Sequence, residues 1–317
     1  TIVGKGQLER ILLMAGTARA KLVVFDLNNI KPAQVRNLEE YLKCRVIGRT
    51  EVILDIFAKR ARSSESKIQV ELAQLNYLLP RLKGLGGVLS RLGGGIGTRG
   101  PGEKMLETDR RHILRRIHVL KDKLKRIDRH RDVTRKARSG EFRGAVVGYT
   151  NAGKSTLVNI LAKDDLFVEN RLFATLDSYT RSVYLENGKH VLLSDTIGFI
   201  RNLPSHLIQS FKSTLQEIKD ADFIIHVIDI NSFDVQADMR TVEAELEALE
   251  CVHKPSMLFF SKCDLVTQEE RIQVFAHRYP HSIFGSSLTG SGISELKKRI
   301  CSMLEVTEEK LRPHKQL

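Results

Sequence analysis

The stretch Gly148-Tyr-Thr-Asn-Ala-Gly-Lys-Ser-Thr156 decides the fold of the second half of the chain. It matches the pattern G-x-x-x-x-G-K-[ST] in full, with a short apolar run before it and a helix-forming run after it. Backbone N–H groups of such a loop surround phosphate groups, and the N-terminus of the helix adds a favourable field. The sequence therefore predicts a phosphate-binding loop between a buried strand and a helix. Its residues are Gly148, Tyr149, Thr150, Asn151, Ala152, Gly153, Lys154, Ser155 and Thr156.

Further polar residues in this half predict a magnesium-dependent nucleotide site. Lys154 should reach the β- and γ-phosphates, and the hydroxyl of Ser155 should ligate Mg²⁺. Asp195 ends an apolar run, where it can hold Mg²⁺ through water, and the N–H of Gly198 can face a γ-phosphate. Thr175 is the candidate for a third metal ligand, supplied by a loop that closes over the nucleotide. The residues assigned to catalysis are Lys154, Thr175 and Gly198. The additional nucleotide contacts predicted here are Phe173, Ala174, Thr175, Leu176, Asp177, Asp195, Thr196, Ile197 and Gly198.

The segment Ser261-Lys-Cys-Asp264 predicts that the base is guanine. In an N-K-x-D motif the carboxylate accepts hydrogen bonds from guanine N1–H and its 2-amino group, a donor pair that adenine lacks. Ser261 stands in place of the Asn, so we expect it to lose the reach to the base and the phosphate loop, which weakens binding but keeps the guanine preference. The predicted base-binding residues are Ser261, Lys262, Cys263, Asp264, Ser286, Ser287 and Leu288.

Phe199 follows Gly198, at the position where many GTPases have a Gln that orients the attacking water. A phenylalanine cannot do this by hydrogen bonding, so intrinsic turnover should be slow and helped by a partner or an ion. A monovalent cation held by Asn151 is one candidate for that help.

The charge of the chain is divided unevenly. Residues 1–140 contain 31 Lys and Arg against 14 Asp and Glu, whereas residues 141–306 contain 17 against 22. Between Arg110 and Arg138 there are 13 basic and three acidic residues. A solvated surface is the simpler explanation, but such a clustered excess favours a polyanionic partner, either a nucleic acid or an anionic membrane. Neutralisation of phosphates with release of counterions would use such a surface.

The first half of the chain predicts a small α/β unit followed by a long helical hairpin. Strands are expected at Leu22–Phe25 and Cys44–Gly48, and helices from Pro32 to Leu42 and from Thr50 to Arg60. Two long helices then carry apolar residues with alternating spacings of four and three, which favours an antiparallel pair with facing seams. The two seams are Ile68, Leu72, Leu75, Leu79 and Leu82, and Ile113, Ile117, Leu120, Leu124 and Ile127.

Between these helices lies Arg91-Leu-Gly-Gly-Gly-Ile-Gly-Thr-Arg-Gly-Pro-Gly-Glu103, which contains G-x-G-x-x-G. It is no dinucleotide-binding turn, because no strand precedes it and Pro101-Gly102 should delay the helix to about Leu106. A flexible connector is the plain alternative. Glycine permits close approach to a ligand, so we expect the loop to contact folded RNA. The predicted RNA-binding residues are Arg91, Gly93, Gly94, Gly95, Arg99, Lys104, Arg110, Arg111, Arg115, Lys121 and Lys125.

These patterns predict an α/β chain with four parts: residues 1–62 as the N-terminal α/β subdomain, 63–139 as the hairpin, 140–306 as a P-loop domain with a mostly parallel sheet, and 307–317 as a polar tail. Four cysteines without ligand spacing, and the absence of a long apolar run, favour a cytoplasmic protein with no membrane span. The chain lacks an initial Met, so an organellar matrix is the other compartment considered. We expect a monomer that does not bind DNA.

Several stretches together resemble the HflX-type GTPases. They are Phe173–Asp177, Asp195–Phe199 and above all Gly93–Glu103, with support from Leu54–Arg62, Val70–Leu75 and Leu106–Arg111. The resemblance implies a Ras-like G domain, GTP and GDP as ligands, and binding to the large ribosomal subunit and its rRNA with the glycine-rich loop near the peptidyl transferase centre. It also implies a role in splitting, recycling or rescuing ribosomes. Departures from the family pattern are Lys104-Met105, Ser178-Tyr179 and Ser261.

Three functions remain open at this point. The first is a GTP-hydrolysing ribosome factor. The second is a nucleotide-gated RNA-binding scaffold with negligible turnover, which Phe199 and Ser261 favour. The third is a P-loop ATPase or kinase, against which Asp264 argues.

Overall fold

The computed structural model describes residues 2–89, 101–137, 141–163, 179–201 and 211–311. Within these ranges the chain forms two compact units, one up to residue 130 and one from residue 131 onward. No helix among the described residues combines the length and the apolar character that a bilayer crossing requires.

The N-terminal unit begins with a small α/β layer. Its two strands are parallel, with Val23 of the first opposite Val46 of the second. Phe25, Leu38 and Val46 belong to its buried core. The predicted strands and helices are confirmed to within one residue at each end, whereas the first helix was not predicted. The elements are α1 (Lys5–Thr17), β1 (Leu22–Phe25), α2 (Pro32–Leu42), β2 (Arg45–Gly48) and α3 (Arg49–Arg60).

Two long helices follow, α4 (Ser64–Leu89) and α5 (Pro101–Ala137). They form the predicted antiparallel hairpin, because Leu72 of α4 is buried in one cluster with Ile117 and Leu120 of α5. The expectation that Pro101-Gly102 delays α5 to about Leu106 is wrong, since α5 begins at Pro101. Proline lacks an N–H and has a fixed φ, and both properties suit the first position of a helix.

The second unit is built on a six-stranded sheet in the order β4-β5-β3-β6-β7-β8. Among the described strands of this sheet, β4 and β5 are the only antiparallel pair. The central strands are short apolar runs because helices cover both faces of such a sheet. The sequence predicts buried strands at the short apolar runs 145–148, 191–193, 223–228 and 257–260, and all four are confirmed within β3, β5, β6 and β7, whereas β4 and β8 were not predicted. The strands are β3 (Arg143–Gly148), β4 (Tyr179–Tyr184), β5 (His190–Asp195), β6 (Phe223–Asp229), β7 (Ser256–Ser261) and β8 (Ile283–Phe284).

The described helices of this unit connect the strands. They are α6 (Lys154–Ala162), α7 (Lys212–Asp220), α8 (Val235–Ala248), α9 (Glu269–Arg278) and α10 (Ile293–Leu311). Because β3, β5, β6 and β7 are parallel, their carboxyl ends meet at one edge of the sheet, where ligands of open α/β sheets bind. The motif residues Gly148, Asp195 and Ser261 are the last residues of β3, β5 and β7.

Candidate nucleotide site

The phosphate loop leaves β3 at Gly148 and enters α6 at Lys154. A Cβ at Gly148 would lie 2.2 Å from the backbone oxygen of Val227 in β6, so no larger residue fits there without displacing the strand. Asn151 has a left-handed φ of 63°, which Asn tolerates better than most residues. Close packing against β6 therefore fixes the start of the loop and aims its backbone away from the sheet.

Lys154 is the buried cation of the site, with 6 % of its surface exposed. Its ammonium donates to the backbone oxygens of Tyr149 at 3.0 Å and Gly148 at 3.2 Å. Burial lowers the pKa of Lys154 to about 8, the Asp195 carboxylate opposes that shift, and Lys262 adds to it. A phosphate group at the loop would favour the charged form, because an opposite charge stabilises a buried ammonium.

Asp195 and Gly198 lie beside the loop. Asp195 is buried at the end of β5 and pairs in register with Val146 of β3. The hydroxyl of Thr196 donates to the backbone oxygen of Val146 at 2.8 Å and holds the segment in place. A Cβ at Gly198 would lie 2.8 Å from Thr150 Cα and 3.0 Å from Lys154 Nζ, so Gly198 leaves room where a side chain would meet the lysine.

The residues present fit a nucleotide-bound Mg²⁺. Mg²⁺ in phosphate sites is held by one or two protein oxygens and completed by waters and substrate phosphates. The hydroxyl of Ser155 and the carboxylate of Asp195 are oxygens of that kind. Among the described residues no group of three His, Cys, Asp or Glu side chains could hold a metal unaided. A metal here would depend on the phosphates for the rest of its ligands.

Phe199 is tied to the phosphate loop through its backbone. Its N–H donates to the oxygen of Gly148 at 3.1 Å, and its own oxygen accepts from the N–H of Thr150 at 2.7 Å. Its side chain is 2 % exposed. The ring therefore belongs to the interior, and a side chain at this position does not face the solvent from which a water would attack.

Arg201 links the same segment to α8, a contact that the sequence did not reveal. Its guanidinium donates to Asp238 at 2.8 Å, and its ring partner is Tyr149, whose centroid lies 5.9 Å away. Ser232 donates to the other oxygen of Asp238. Arginines shortly after a D-x-x-G segment are common, and so are acids on a later helix, so the sequence alone could not pair these two residues.

Ser261 does reach the phosphate loop, so the expectation that it loses this contact is wrong. Its hydroxyl lies 2.7 Å from the backbone oxygen of Ala152 and 3.0 Å from that of Ile228. Because β7 ends next to β6 and close to the loop, the short side chain is long enough to span the gap. Ser261 is 1 % exposed, and this hydrogen bond is shielded from water.

Lys262 is held by Asp229 and Asn231, two residues that the sequence did not predict. Its ammonium lies 2.7 Å from Asp229 Oδ2 and 2.8 Å from the backbone oxygen of Asn151. The side-chain amide of Asn231 donates to the backbone oxygen of Lys262 at 2.8 Å. Asp229 ends β6, and its place at the carboxyl end of a buried strand is the signal that could have found it.

Asp264 is exposed in a short 3-10 helix, Cys263–Leu265. The N–H of Cys263 donates to the oxygen of Gly285 at 3.1 Å, which connects this helix to the segment that contains Ser286, Ser287 and Leu288. Ser286 is buried, and its hydroxyl accepts from the N–H of Leu288 at 3.1 Å. The structure therefore brings the two predicted base-binding segments together.

His226 lies in β6 and is 4 % exposed. It lines a small cavity of about 190 Å³ beside the phosphate loop, together with Tyr149, Asp229 and Asp238. Burial, together with the nearby positive charge of Lys154, lowers its pKa to about 4. The imidazole is therefore neutral at physiological pH.

The basic face of α5 is exposed. Arg110, Arg111, Arg115, Lys121 and Lys125 point to solvent. Arg111 pairs with Glu107 at 3.1 Å within the helix, and Arg116 is bound to Glu71 of α4 at 2.6 Å. Such exposed pairs stabilise little and leave the cations accessible to a phosphate. Lys104 lies within α5.

Some predicted residues lie outside the described ranges. They are Phe173, Ala174, Thr175, Leu176 and Asp177 of the nucleotide site, and Arg91, Gly93, Gly94, Gly95 and Arg99 of the predicted RNA contact.

Three family models match successive parts of the chain. They are described as GTP-binding GTPase N-terminal over residues 1–58, GTP-binding GTPase Middle Region over residues 60–138, and 50S ribosome-binding GTPase over residues 143–262. The GTPase HflX of Escherichia coli is 41 % identical over 315 residues, which are 98 % of this chain and 74 % of that protein. The chain belongs to the HflX family of GTPases.

Another HflX relative, from Caldanaerobacter subterraneus subsp. tengcongensis, is 50 % identical over 266 residues, or 83 % of this chain. The match covers 62 % of that relative, so the chain spans less than two thirds of its length. A solved structure of SsGBP in complex with GDP is 24 % identical, with a TM-score of 0.50 and coverage of 95 % of this chain and 85 % of that one. This similarity concerns the fold. The HflX resemblance predicted from the sequence is confirmed, as is the fold class.

Proposed function

We propose that this chain is a GTPase that binds GTP and GDP with Mg²⁺. The observation that carries the proposal is the meeting of Lys154, Asp195 and Ser261 at one edge of the sheet, each at the end of a parallel strand or the start of a helix. Lys154 would contact the β- and γ-phosphates, Ser155 and Asp195 would hold Mg²⁺, and Asp264 would select guanine. Thr175 completes the metal site in this proposal.

Direct binding measurements test the nucleotide assignment. Titration with GDP, GTP and ATP should give binding of both guanine nucleotides and at least about tenfold weaker binding of ATP, since a lost charged hydrogen-bond pair costs that much or more. Replacing Asp264 with Asn should lower GDP affinity and raise affinity for XDP, whose C2 carbonyl can accept from the new amide. Equal affinity for ATP and GTP would support the ATPase or kinase alternative instead.

We further propose that α5 and the glycine-rich segment after α4 bind the large ribosomal subunit through its rRNA, and that the GTP state controls splitting, recycling or rescue of ribosomes. The exposed cations of α5 support this, because phosphate contacts dominate affinity for nucleic acids. The family model over residues 143–262 describes a 50S ribosome-binding GTPase, which supports the same partner.

Sedimentation with purified large subunits tests the RNA surface. A variant with Arg110, Arg115 and Lys121 changed to Glu should lose binding and retain GDP affinity. The matched control changes Lys298 and Arg299 to Glu as well. These two residues are exposed on α10 of the other unit, and the control should bind large subunits as the unaltered protein does. Alanines at Gly93–Gly97 should also impair subunit binding. Loss of GDP affinity with intact subunit binding would contradict the assignment.

A nucleotide-gated scaffold with negligible turnover is the second candidate, and the buried side chain of Phe199 favours it. GTP hydrolysis with and without large subunits distinguishes the two, because a scaffold shows no stimulation. The same assay in potassium, sodium and lithium buffers tests the proposal that Asn151 holds a monovalent cation. Equal rates of GTP hydrolysis in all three buffers would show that Asn151 does not act through a monovalent cation.

A further inference from the structure

Two contacts tie Lys262 to Asp229 and Asn231 at the end of β6, and a third contact joins those two residues to each other. Asp229 Oδ2 lies 2.7 Å from the ammonium of Lys262, and Asp229 Oδ1 accepts from the N–H of Asn231 at 2.9 Å. The side-chain amide of Asn231 then donates to the backbone oxygen of Lys262 at 2.8 Å. Asp229 and Asn231 thus hold both the side chain and the main chain of one residue.

The main chain of Lys262 needs such support. Its φ is 60°, in the left-handed region that residues with a Cβ rarely adopt. Conformations of this kind persist only where the surroundings fix them. Asp264 follows two residues later, in the 3-10 helix Cys263–Leu265, so the direction of its carboxylate depends on the turn at Lys262.

The loop that contains Asn231 is itself fixed from the other side. Arg271 of α9 donates to the backbone oxygen of Ile230 at 2.7 Å and to that of Ser232 at 2.9 Å. Asn231 therefore presents its amide from a segment that is bonded on both flanks. It is a fixed donor rather than a side chain on a free loop.

Ser261 cannot replace this support. Its hydroxyl has one proton, and both of its neighbours are backbone oxygens, those of Ala152 and Ile228. The hydroxyl ties β7 to the phosphate loop and has no donor left for the residues that follow. The position and conformation of Lys262 must be set by other groups.

We infer that Asp229 and Asn231 are positioning residues for guanine specificity, acting through Lys262 on the carboxylate of Asp264. The inference rests on the proposed binding of guanine nucleotides and adds the residues that set its selectivity. In this inference neither residue is assigned a contact with the base. Their effect is on how well Asp264 is aimed at the guanine N1–H and 2-amino group.

The test compares GDP with IDP, which keeps N1–H and lacks the 2-amino group. The protein should bind GDP more tightly than IDP because Asp264 accepts from that amino group. Asp229→Asn removes the charge that holds Lys262, and Asn231→Ala removes the bond to its carbonyl. Each should lower the ratio of GDP to IDP affinity by about tenfold, the effect of one misaligned charged hydrogen bond.

Asp234→Asn is the matched control, because Asp234 is a carboxylate of the same loop that caps α8 by accepting from the N–H of Ala237. Asn caps a helix as well as Asp does, so the ratio should not change. Thermal unfolding of each variant is measured alongside. Asn231 is exposed, so its replacement should leave the fold intact and decide the outcome if Asp229→Asn does not fold.

The outcomes separate this inference from the proposed function. Variants that weaken GDP and IDP equally, or that keep the full ratio, would overturn the positioning role. An unaltered protein that binds neither nucleotide, or does not distinguish them, would instead overturn the guanine assignment itself.

Discussion

The backbone N–H of Thr150 donates a 2.7 Å hydrogen bond to the oxygen of Phe199, and the N–H of Phe199 donates to the oxygen of Gly148 at 3.1 Å. The main chain of Phe199 is thereby fixed against the phosphate loop on both sides. With the backbone held in this way, the side chain points into the interior, where it is 2 % exposed.

We predict that Phe199→Gln does not raise GTP turnover, although a Gln at this position orients water in other GTPases. The amide would be buried away from the attacking water, and its unpaired polar atoms should lower the free energy of unfolding by about 1–3 kcal/mol. Steady-state phosphate release and urea denaturation measure both effects. Phe199→Leu, which stays apolar, is the control. A Gln variant with clearly faster turnover would show that the side chain leaves the interior during the reaction.

The hydroxyl of Ser261 carries the tie between β7 and the phosphate loop. Ser261→Ala should lower the free energy of unfolding by about 1–3 kcal/mol, because the buried oxygen of Ala152 loses its donor. GDP affinity should fall as well, since the loop is less well held. Ser256→Ala, at the exposed start of the same strand, is the matched control and should change neither quantity. Calorimetric titration with GDP decides the matter, and unchanged affinity would mean that the tie serves stability alone.

The strands that carry the site could be predicted because they are buried on both faces and read as continuous apolar runs. β4 could not, since Val183 is its only buried residue and the remaining side chains are polar or exposed. α1 was missed for a related reason: it has no side-chain cap, no acid in its first turn and a single buried residue, Ala15. Its packing against the small α/β layer is tertiary, and no local pattern records it.

The residues of the site divide in the same way, into those that a local sequence pattern predicts and those that only the fold brings together. Lys154, Ser155 and Asp195 belong to motifs whose spacing is set by a strand and a loop, so the sequence was sufficient to predict that they lie at the same edge of the sheet. Asp229 is 33 residues away from Lys262 in the chain, and the two meet only because β6 and β7 are neighbours in the sheet. The reach of Ser261 was misjudged because it depends on how closely β7 approaches the loop, which is a distance and not a pattern.

His226 should make the stability of the protein depend on pH. Its pKa in the folded state is about 4 because of burial, below the ordinary value of 6.5, so the unfolded chain binds more protons between these values. The contribution of the neutral imidazole is therefore complete above about pH 6.5 and is lost as the pH falls toward 4, by up to about 3 kcal/mol. Urea denaturation of His226→Leu should show a correspondingly flatter pH profile.

The control for this prediction is His281→Gln, at an exposed position of the same unit, which should keep the slope of the unaltered protein. The comparison is made as a difference between profiles, since other carboxylates also titrate in this interval. Parallel profiles for His226→Leu and the unaltered protein would mean that the imidazole takes up its proton equally well in the folded and the unfolded state, which would contradict the lowered pKa.

Lys154 should make nucleotide binding depend on pH in the alkaline range, whereas His226 affects stability in the acidic range. The pKa of Lys154 is lowered to about 8 by burial, with Asp195 opposing the shift and Lys262 adding to it, so above pH 8 the free protein has lost this charge. The β-phosphate of GDP raises the pKa again, and binding then takes up a proton. GDP affinity should therefore fall as the pH rises above about 8, approaching tenfold per pH unit. GMP, which lacks the β-phosphate, is the control and also accounts for any titration of the guanine ring. Calorimetric titrations in buffers of different ionisation enthalpy measure the proton uptake directly, and equal uptake for GDP and GMP would assign it to a group other than Lys154.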